Sequence, residues 1–323
     1  MRIPDRGDRP SYILGVNGGP HDGSAALLRD GTLVAMLEQE RLNRQRYAFR
    51  CSPSGAIAAC LAEEGIGLDA VSEIAVGWDV PVLMDVDGRT FDERQFIDWM
   101  LGPLTASARQ LPRVRYVDHH LAHAASAFYA SGLARAAILV VDGRGETAAT
   151  TLAVGRPDGI EVVRSWGTHL SLGHFYGWAA EWAGLTMWDA GKFMGLAAYG
   201  NATQHTPLSV AHDGYAFVDG PPAGTAPGHF LQLRSHLRDS FRHRNHPDGP
   251  GRPADVMAYA DFAASMQKAL EGALLALARM ARAETGEASL VMAGGVALNC
   301  TANGLLIRSN IFDEVWILSL IHI

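Results

Sequence analysis

Two stretches of this chain repeat one pattern, and the repeat limits the possible folds more than any other feature. Ile13-Leu14-Gly15-Val16-Asn17-Gly18-Gly19 and Ile138-Leu139-Val140-Val141-Asp142-Gly143-Arg144-Gly145 are each an apolar run that ends in Asn or Asp and glycine. Small residues follow each: Gly23-Ser24-Ala25-Ala26 in the first, Thr147-Ala148-Ala149-Thr150 in the second. A second apolar run comes next, then an Asp-Gly turn (Asp30-Gly31 and Asp158-Gly159), then a third run. Asp-Gly between apolar runs is a strong hairpin signal. The pattern predicts two copies of a three-strand meander, each opening on a glycine-rich turn suited to phosphate.

Two such units facing a nucleotide cleft are the plan of actin, hexokinase and the heat-shock chaperones. The expected fold is therefore α/β and duplicated, with a first lobe over residues 1–130 and a second over 131–317. The length of 323 residues suits two lobes with substantial cores. Apolar content of 48% and charged content of 19% are those of a folded globular chain. The net charge of −7 comes with no basic stripe, so nucleic acid is not an expected partner. Cys51, Cys60 and Cys300 are too few and scattered for a disulfide framework. The polar N-terminus lacks a signal-peptide core, and no apolar run is long enough to span a bilayer. A cytoplasmic protein is expected.

The junction of the two copies, Asp118 to Glu146, carries the densest chemistry. Val114 to Val117 reads as a short strand, and Asp118 as the N-cap of a helix running through Phe128. His119 and His123 then share one face of that helix. The strand Ile138–Val141 delivers Asp142 at its end. Two imidazoles and a carboxylate suit a divalent metal: iron(II), manganese or zinc. The plain alternative is a histidine pair capping a core. His120 points away on the helix and is read as structural or as support for the other two.

Elsewhere, Pro53 opens a helix carrying Ile57 and Leu61, and Phe91 to Leu101 is a further helix. Residues 201–253, rich in Pro, Gly, His and Asp, read as a long irregular surface excursion. Residues 255–285 have helical apolar spacing. Leu290-Val291-Met292 is a strand entering Ala293-Gly294-Gly295-Val296-Ala297-Leu298-Asn299, and a helix follows over 300–309. Its N-terminal amides with Gly294, Gly295 and Asn299 either suit a nucleotide phosphate or sugar edge, as does the turn at Gly143, or form an ordinary strand-to-helix turn. Lys192 is a candidate for phosphate or a plain surface lysine. Arg44 and Arg46 either bind anionic oxygens or form a solvated basic cluster. Trp178, Trp182 and Trp188 either pack the core or line an acceptor site. Leu318-Ser319-Leu320-Ile321-His322-Ile323 matches the translation of a sequencing-library adapter. Residues 318–323 are therefore expected to be a foreign tail on a chain cut after the strand Glu314–Ile317.

Six segments in order resemble the O-carbamoyltransferases of antibiotic and nodulation-factor pathways. They are Ile13-Leu14-Gly15 with His21-Asp22 and Ser24-Ala25-Ala26; Glu40-Arg41; Asp118-His119-His120 with His123-Ala124; Val141-Asp142-Gly143; Gly191-Lys192 with Met194-Gly195-Leu196-Ala197; and Gly294-Gly295-Val296-Ala297-Leu298-Asn299-Cys300. The resemblance implies an actin-like lobe pair related to the tRNA threonylcarbamoyl-transfer protein. It implies that carbamoyl phosphate and ATP form carbamoyladenylate in a separate C-terminal domain, which this sequence does not include. The lobe pair then passes the carbamoyl group to a hydroxyl of a small molecule or sugar. His119, His123 and Asp142 match the family's metal ligands, with iron(II) the expected ion, and His21 matches the base that deprotonates the acceptor hydroxyl.

The sequence departs from the family pattern in places. Ala190 stands where members carry Glu, with Asp189 one step earlier, and Tyr47 stands where the basic run usually ends in His. A further metal-ligand aspartate would lie past Ile317. Two other readings stay open. A sugar-kinase-like phosphotransferase could use Asp142 as its catalytic carboxylate, although paired histidines argue against it. A non-catalytic nucleotide-binding fragment needs no base at all.

Overall fold

The computed structural model describes residues 10–19, 21–212, 214–221, 229–244 and 253–318. The chain divides into two compact units at His119/His120. The first unit contains β1 (Tyr12–Asn17), β2 (Ser24–Arg29), β3 (Thr32–Glu38), α1 (Gln39–Asn43), α2 (Ser54–Glu63), β4 (Val71–Val76), α3 (Val80–Val86), α4 (Glu93–Leu101) and β5 (Arg113–Tyr116). Its sheet runs β3-β2-β1-β4-β5. The first three strands form an antiparallel meander, and β4 and β5 add in parallel beside β1.

The second unit follows from α5 (His119–Ser131), whose first residue is counted with the first unit. Next come β6 (Ala136–Val141), β7 (Ala148–Arg156), β8 (Gly159–Gly167), α6 (Leu172–Trp182), α7 (Ala190–Ala197), β9 (Leu208–Ala211), β10 (Gly214–Phe217) and α8 (His229–Arg244). The unit closes with α9 (Ala260–Thr285), β11 (Ser289–Ala293), α10 (Cys300–Arg308) and β12 (Glu314–Ile317). Its main sheet runs β12-β11-β6-β7-β8. Here β6, β7 and β8 form the antiparallel meander, and β11 and β12 add in parallel beside β6. Strand order and pairing sense are thus the same in both units. This is the duplicated actin/hexokinase-like α/β fold that the repeat predicts. The registers agree too: Asn17 pairs with Ser24 at the mouth of one meander, and Val141 with Thr150 at the other.

Burial explains why the two first strands read differently. Every residue of β6 is buried, so both faces are covered and its sequence is an unbroken apolar run. Ala137, Leu139 and Val141 join the cluster built with Phe175, Leu274 and Met292. Ile138 and Val140 join Ala124, Ala127 and Phe128 of α5 on the opposite face. That packing places α5 with the second sheet, and the compact units divide at His119/His120, in the first turn of α5.

One expectation is overturned. The stretch 201–253 was expected to be irregular, yet it holds the β9–β10 hairpin and the 16-residue helix α8. Leu233, Leu237 and Phe241 recur every four residues and are fully buried in the main core of the second unit. Phe241 packs edge-on against Phe262 with ring centroids 5.2 Å apart. The many Arg and His residues of α8 mask this stripe in the composition but not in the spacing. Residues 222–228 and 245–252 lie outside the described residues, as do 319–323 of the expected foreign tail. Leu318 is described, and its amide donates to the Met292 carbonyl. Among the described residues, no helix is long and apolar enough to cross a membrane.

If α8 is a core element, Phe241→Ala should lower unfolding stability by about 3–5 kcal/mol. Leu231→Ala, on the exposed side of the same helix, should change it by less than about 0.5 kcal/mol. Urea unfolding of the two variants checks this, and equal effects would remove α8 from the core.

Candidate metal centre

Three backbone segments converge where β6 ends. The Asp142 amide extends the ladder by one bond, to the Ala149 carbonyl at 2.9 Å. Ser171 caps α6, accepting from the His174 amide at 3.0 Å and donating to the Gly143 carbonyl at 2.6 Å. The third residue of that run, Gly173, lies so close to the strand end that a Cβ would come within 2.7 Å of Asp142 and Gly143 backbone atoms. From the other side comes the turn after β11. Gly294 has φ +90°, and a side chain there would collide with the Val141 carbonyl.

This crowding orients Asp142. The Gly295 amide donates to Asp142 Oδ1 at 2.9 Å, and Oδ2 lies 3.7 Å from His123 Nε2. The two carboxylate oxygens thus have different surroundings. His119, one turn before His123 on α5, is fixed separately. Its Nδ1 lies 2.9 Å from the Gly77 carbonyl, and its ring stacks on Trp78 at 3.7 Å with the planes 19° apart. A carbonyl only accepts, so Nδ1 carries the proton and the neutral ring presents its lone pair at Nε2. An outer-shell carbonyl of this kind fixes the tautomer of metal-ligating histidines.

Each of His119, His123 and Asp142 offers one ligand atom, and these atoms lie within 4.8 Å of one another. Metal–N and metal–O bonds of about 2.0–2.2 Å limit two ligands of one ion to about 4.4 Å apart. The trio therefore fits a divalent ion with no more than a small side-chain adjustment. His120, between them in sequence, is buried with Nδ1 2.9 Å from Thr151 Oγ1. It anchors α5 to β7, as its position on the helix predicts.

The other predicted site residues are placed as follows. His21 pairs with Asp22 in the loop after β1. Gly143, Gly294 and Gly295 surround Asp142, so the turns expected to cradle phosphate also shape the candidate ligand carboxylate. Asn299 is only 7% exposed. Its Oδ1 caps α10 at the Ala302 amide, and its amide group exchanges hydrogen bonds with Gln267. Lys192 bonds Asp189 at 2.7 Å. Lys192, then Thr186, hold the Asp189 carboxyl at about 2. Trp178 and Trp182 belong to the core, whereas Trp188 is exposed.

Sequence reasoning assigned no role to Gly77, Trp78, Ser171 or Gly173. A Ser followed two residues later by Gly at a helix start is a usable signal for Ser171 and Gly173. The sequence holds no comparable signal for Trp78, which reaches His119 from β4's end. His174 was also missed as a neighbour of the strand end. It is buried against Gly143 and stacks on Trp178 at 4.7 Å. Burial lowers its pKa from 6.5 to about 4, outweighing the attraction of Asp142.

Two outcomes follow. Titration calorimetry of metal-stripped protein with iron(II), manganese(II) and zinc(II) should show at least a ~10-fold loss of affinity in His119→Ala, His123→Ala and Asp142→Asn. Thr151→Val should bind like wild type, and equal binding in all variants would end the assignment. For His174, the unfolded chain takes a proton between pH 6.5 and about 4 that the folded chain refuses. Stability of the metal-free protein should therefore fall as pH drops through that window, by up to about 3 kcal/mol. His174→Phe should lose that component of the pH dependence in parallel denaturant titrations.

Comparison with known proteins identifies the family. The family model described as the carbamoyltransferase N-terminus matches residues 84–215 and 229–321. Nodulation protein NolNO of Sinorhizobium fredii is 32% identical over 312 residues, covering 94% of this chain and 44% of that protein. Nodulation protein U of the same species is 25% identical over 335 residues, covering 92% of this chain and 58% of that protein. The chain thus spans about half the length of the relatives it matches. Among solved structures, full-length HypF in its phosphate- and nucleotide-bound form aligns with a TM-score of 0.50 at 14% identity. That match covers 96% of this chain and 52% of HypF, and it agrees in fold. With the family model matched over more than half of the chain and a relative 32% identical along nearly all of it, the chain belongs to the carbamoyltransferase N-terminal family.

Proposed function

We propose that this chain supplies the acceptor-side half of an O-carbamoyltransferase. It would pass a carbamoyl group from carbamoyladenylate, made from carbamoyl phosphate and ATP, to a hydroxyl of a small molecule or sugar. The observation that carries the reading is the trio His119, His123 and Asp142, each with one ligand atom within 4.8 Å of the others, in residues that match the family. A divalent ion held there, with iron(II) the first candidate, would neutralise phosphate charge and polarise the carbamoyl carbonyl.

The remaining chemistry belongs to the protein's own side chains. A hydroxyl attacks poorly without a base, and His21 takes its proton. The hydroxyl oxygen bonds to the carbamoyl carbon while the bond from that carbon to the adenylate phosphate breaks, and AMP leaves with the electron pair. The turns at Gly143 and Gly294–Gly295 hold the nucleotide phosphate beside Asp142. Lys192 joins them only by leaving Asp189, and Asn299 acts through the turn it pins. A phosphotransferase reading would need Asp142 as a base. Its environment, with Oδ1 accepting an amide and Oδ2 facing His123, suits a ligand better.

The full-length protein, incubated with carbamoyl phosphate, ATP, iron(II) and a panel of hydroxylated acceptors, should release AMP in an acceptor-dependent way. Chromatography should show an equal amount of carbamoylated acceptor. His21→Ala should slow transfer by about 10²–10⁴-fold. Acceptor-independent AMP release, or none with metal bound, would sink the transferase reading.

A further inference from the structure

The loop that carries His21 is built around its neighbour, Asp22. Adjacent residues in extended chain point to opposite sides, so a His-Asp pair next to each other in sequence does not ordinarily meet. Here His21 Nδ1 lies 2.8 Å from Asp22 Oδ2. The approach depends on a left-handed backbone at Asp22, with φ +53°. Left-handed residues other than glycine are uncommon and persist where their surroundings hold them. Three bonds do so. The Asn17 side-chain amide donates to the Asp22 carbonyl at 2.9 Å and to the His21 carbonyl at 3.2 Å. The Asp22 amide donates to the Tyr47 carbonyl at 2.6 Å. Tyr47 is itself left-handed, at φ +62°, with its amide on Glu40 Oε2 at 2.7 Å.

A part-exposed ion pair contributes little stability, so three backbone bonds converging on this turn are poorly explained as support for a salt bridge. It is well explained as aim. We propose that Asp22 is the positioning residue for His21. Its carboxylate accepts the Nδ1–H, which places the lone pair of the neutral ring at Nε2 and fixes the ring's direction. Nε2 then receives the proton of the acceptor hydroxyl as the new carbon–oxygen bond forms and AMP departs. Asp22 takes no proton in the step. Asn17, at the end of β1, and the Tyr47 carbonyl are the outer supports that hold Asp22 in its left-handed turn. This inference rests on the transferase reading above.

Asp22→Asn separates carboxylate from backbone, because Asn tolerates the left-handed region and keeps all three backbone bonds. Its amide NH₂ donates to Nδ1 and so favours the tautomer with the proton on Nε2. Long-range ¹⁵N–¹H NMR spectra of the imidazoles, with the His21 signals identified by their loss in His21→Gln, read that tautomer directly. Wild type should show the proton on Nδ1 and Asp22→Asn on Nε2. In the full-length enzyme Asp22→Asn should lower kcat by about 10²–10⁴-fold with KM for the acceptor within ~2-fold. Asp22→Gly, which also keeps the positive φ, should lower kcat likewise. An unchanged tautomer, or an Asp22→Asn enzyme with wild-type kcat, overturns the role of Asp22 whatever wild type catalyses. A wild type that transfers nothing overturns the transferase reading itself, even where the tautomer follows Asp22.

Discussion

The hydrogen bond from the Gly295 amide to Asp142 Oδ1 is the constraint on which the second unit's chemistry rests. It forms only because the turn after β11 comes into backbone contact with the end of β6. Parallel pairing of β11 with β6, Met292 against Leu139, brings the two strand ends level. A positive φ at Gly294 then folds the chain back over Val141. From the other side, Ser171 and Gly173 bring the start of α6 onto the same strand end. The carboxylate is therefore oriented by main chain rather than by flexible side chains. Main-chain donors in regular elements hold a site more tightly than side chains on loops do.

The duplication gives the two units the same strand order but not the same burial. β6 is covered on both faces, while Ile13 of β1 reaches solvent. At the corresponding position after each first strand stands a different device. Asp142 in the second unit offers a carboxylate to the α5 histidines. Asn17 in the first offers an amide that clasps the backbone of the following loop. One repeat carries an acidic residue as a candidate ligand, and the other uses the equivalent side chain to hold a turn.

The parts of this molecule that were legible in the sequence are those written in local pattern. Strand endings with Asn or Asp and glycine marked both meanders. The spacing of His119 and His123 marked the helix face, and the run after β6 marked Asp142. What escaped depends on contacts between distant segments. Trp78 beneath His119, and Gly173 against Asp142, join residues far apart in the chain, and no local pattern announces them. Helix α8 escaped for a different reason. Its stripe of Leu233, Leu237 and Phe241 is regular, but the surrounding charged and imidazole side chains and the flanking Pro and Gly outweigh it in any reading by composition. The sequence pattern assigns the glycines at 294 and 295 to a ligand phosphate. Their visible partners are Val141 and Asp142.

The two histidines proposed for chemistry, His119 and His21, share one design with a different partner. In each, Nδ1 is engaged. His119 meets a backbone carbonyl, and His21 meets a carboxylate. The difference matches the task. A metal ligand stays neutral throughout, so a neutral acceptor suffices to set its tautomer, and a rigid stack on Trp78 sets its plane. A general base becomes an imidazolium during turnover, and a carboxylate beside Nδ1 both sets the tautomer and meets the positive charge when it forms. A carbonyl beside His21 would fix the same tautomer without answering that charge. A carboxylate beside His119 would add a negative charge next to the candidate metal ligands. The proposed roles, ligand for one histidine and base for the other, thus accord with what each Nδ1 touches, independently of the sequence motifs in which the two residues lie.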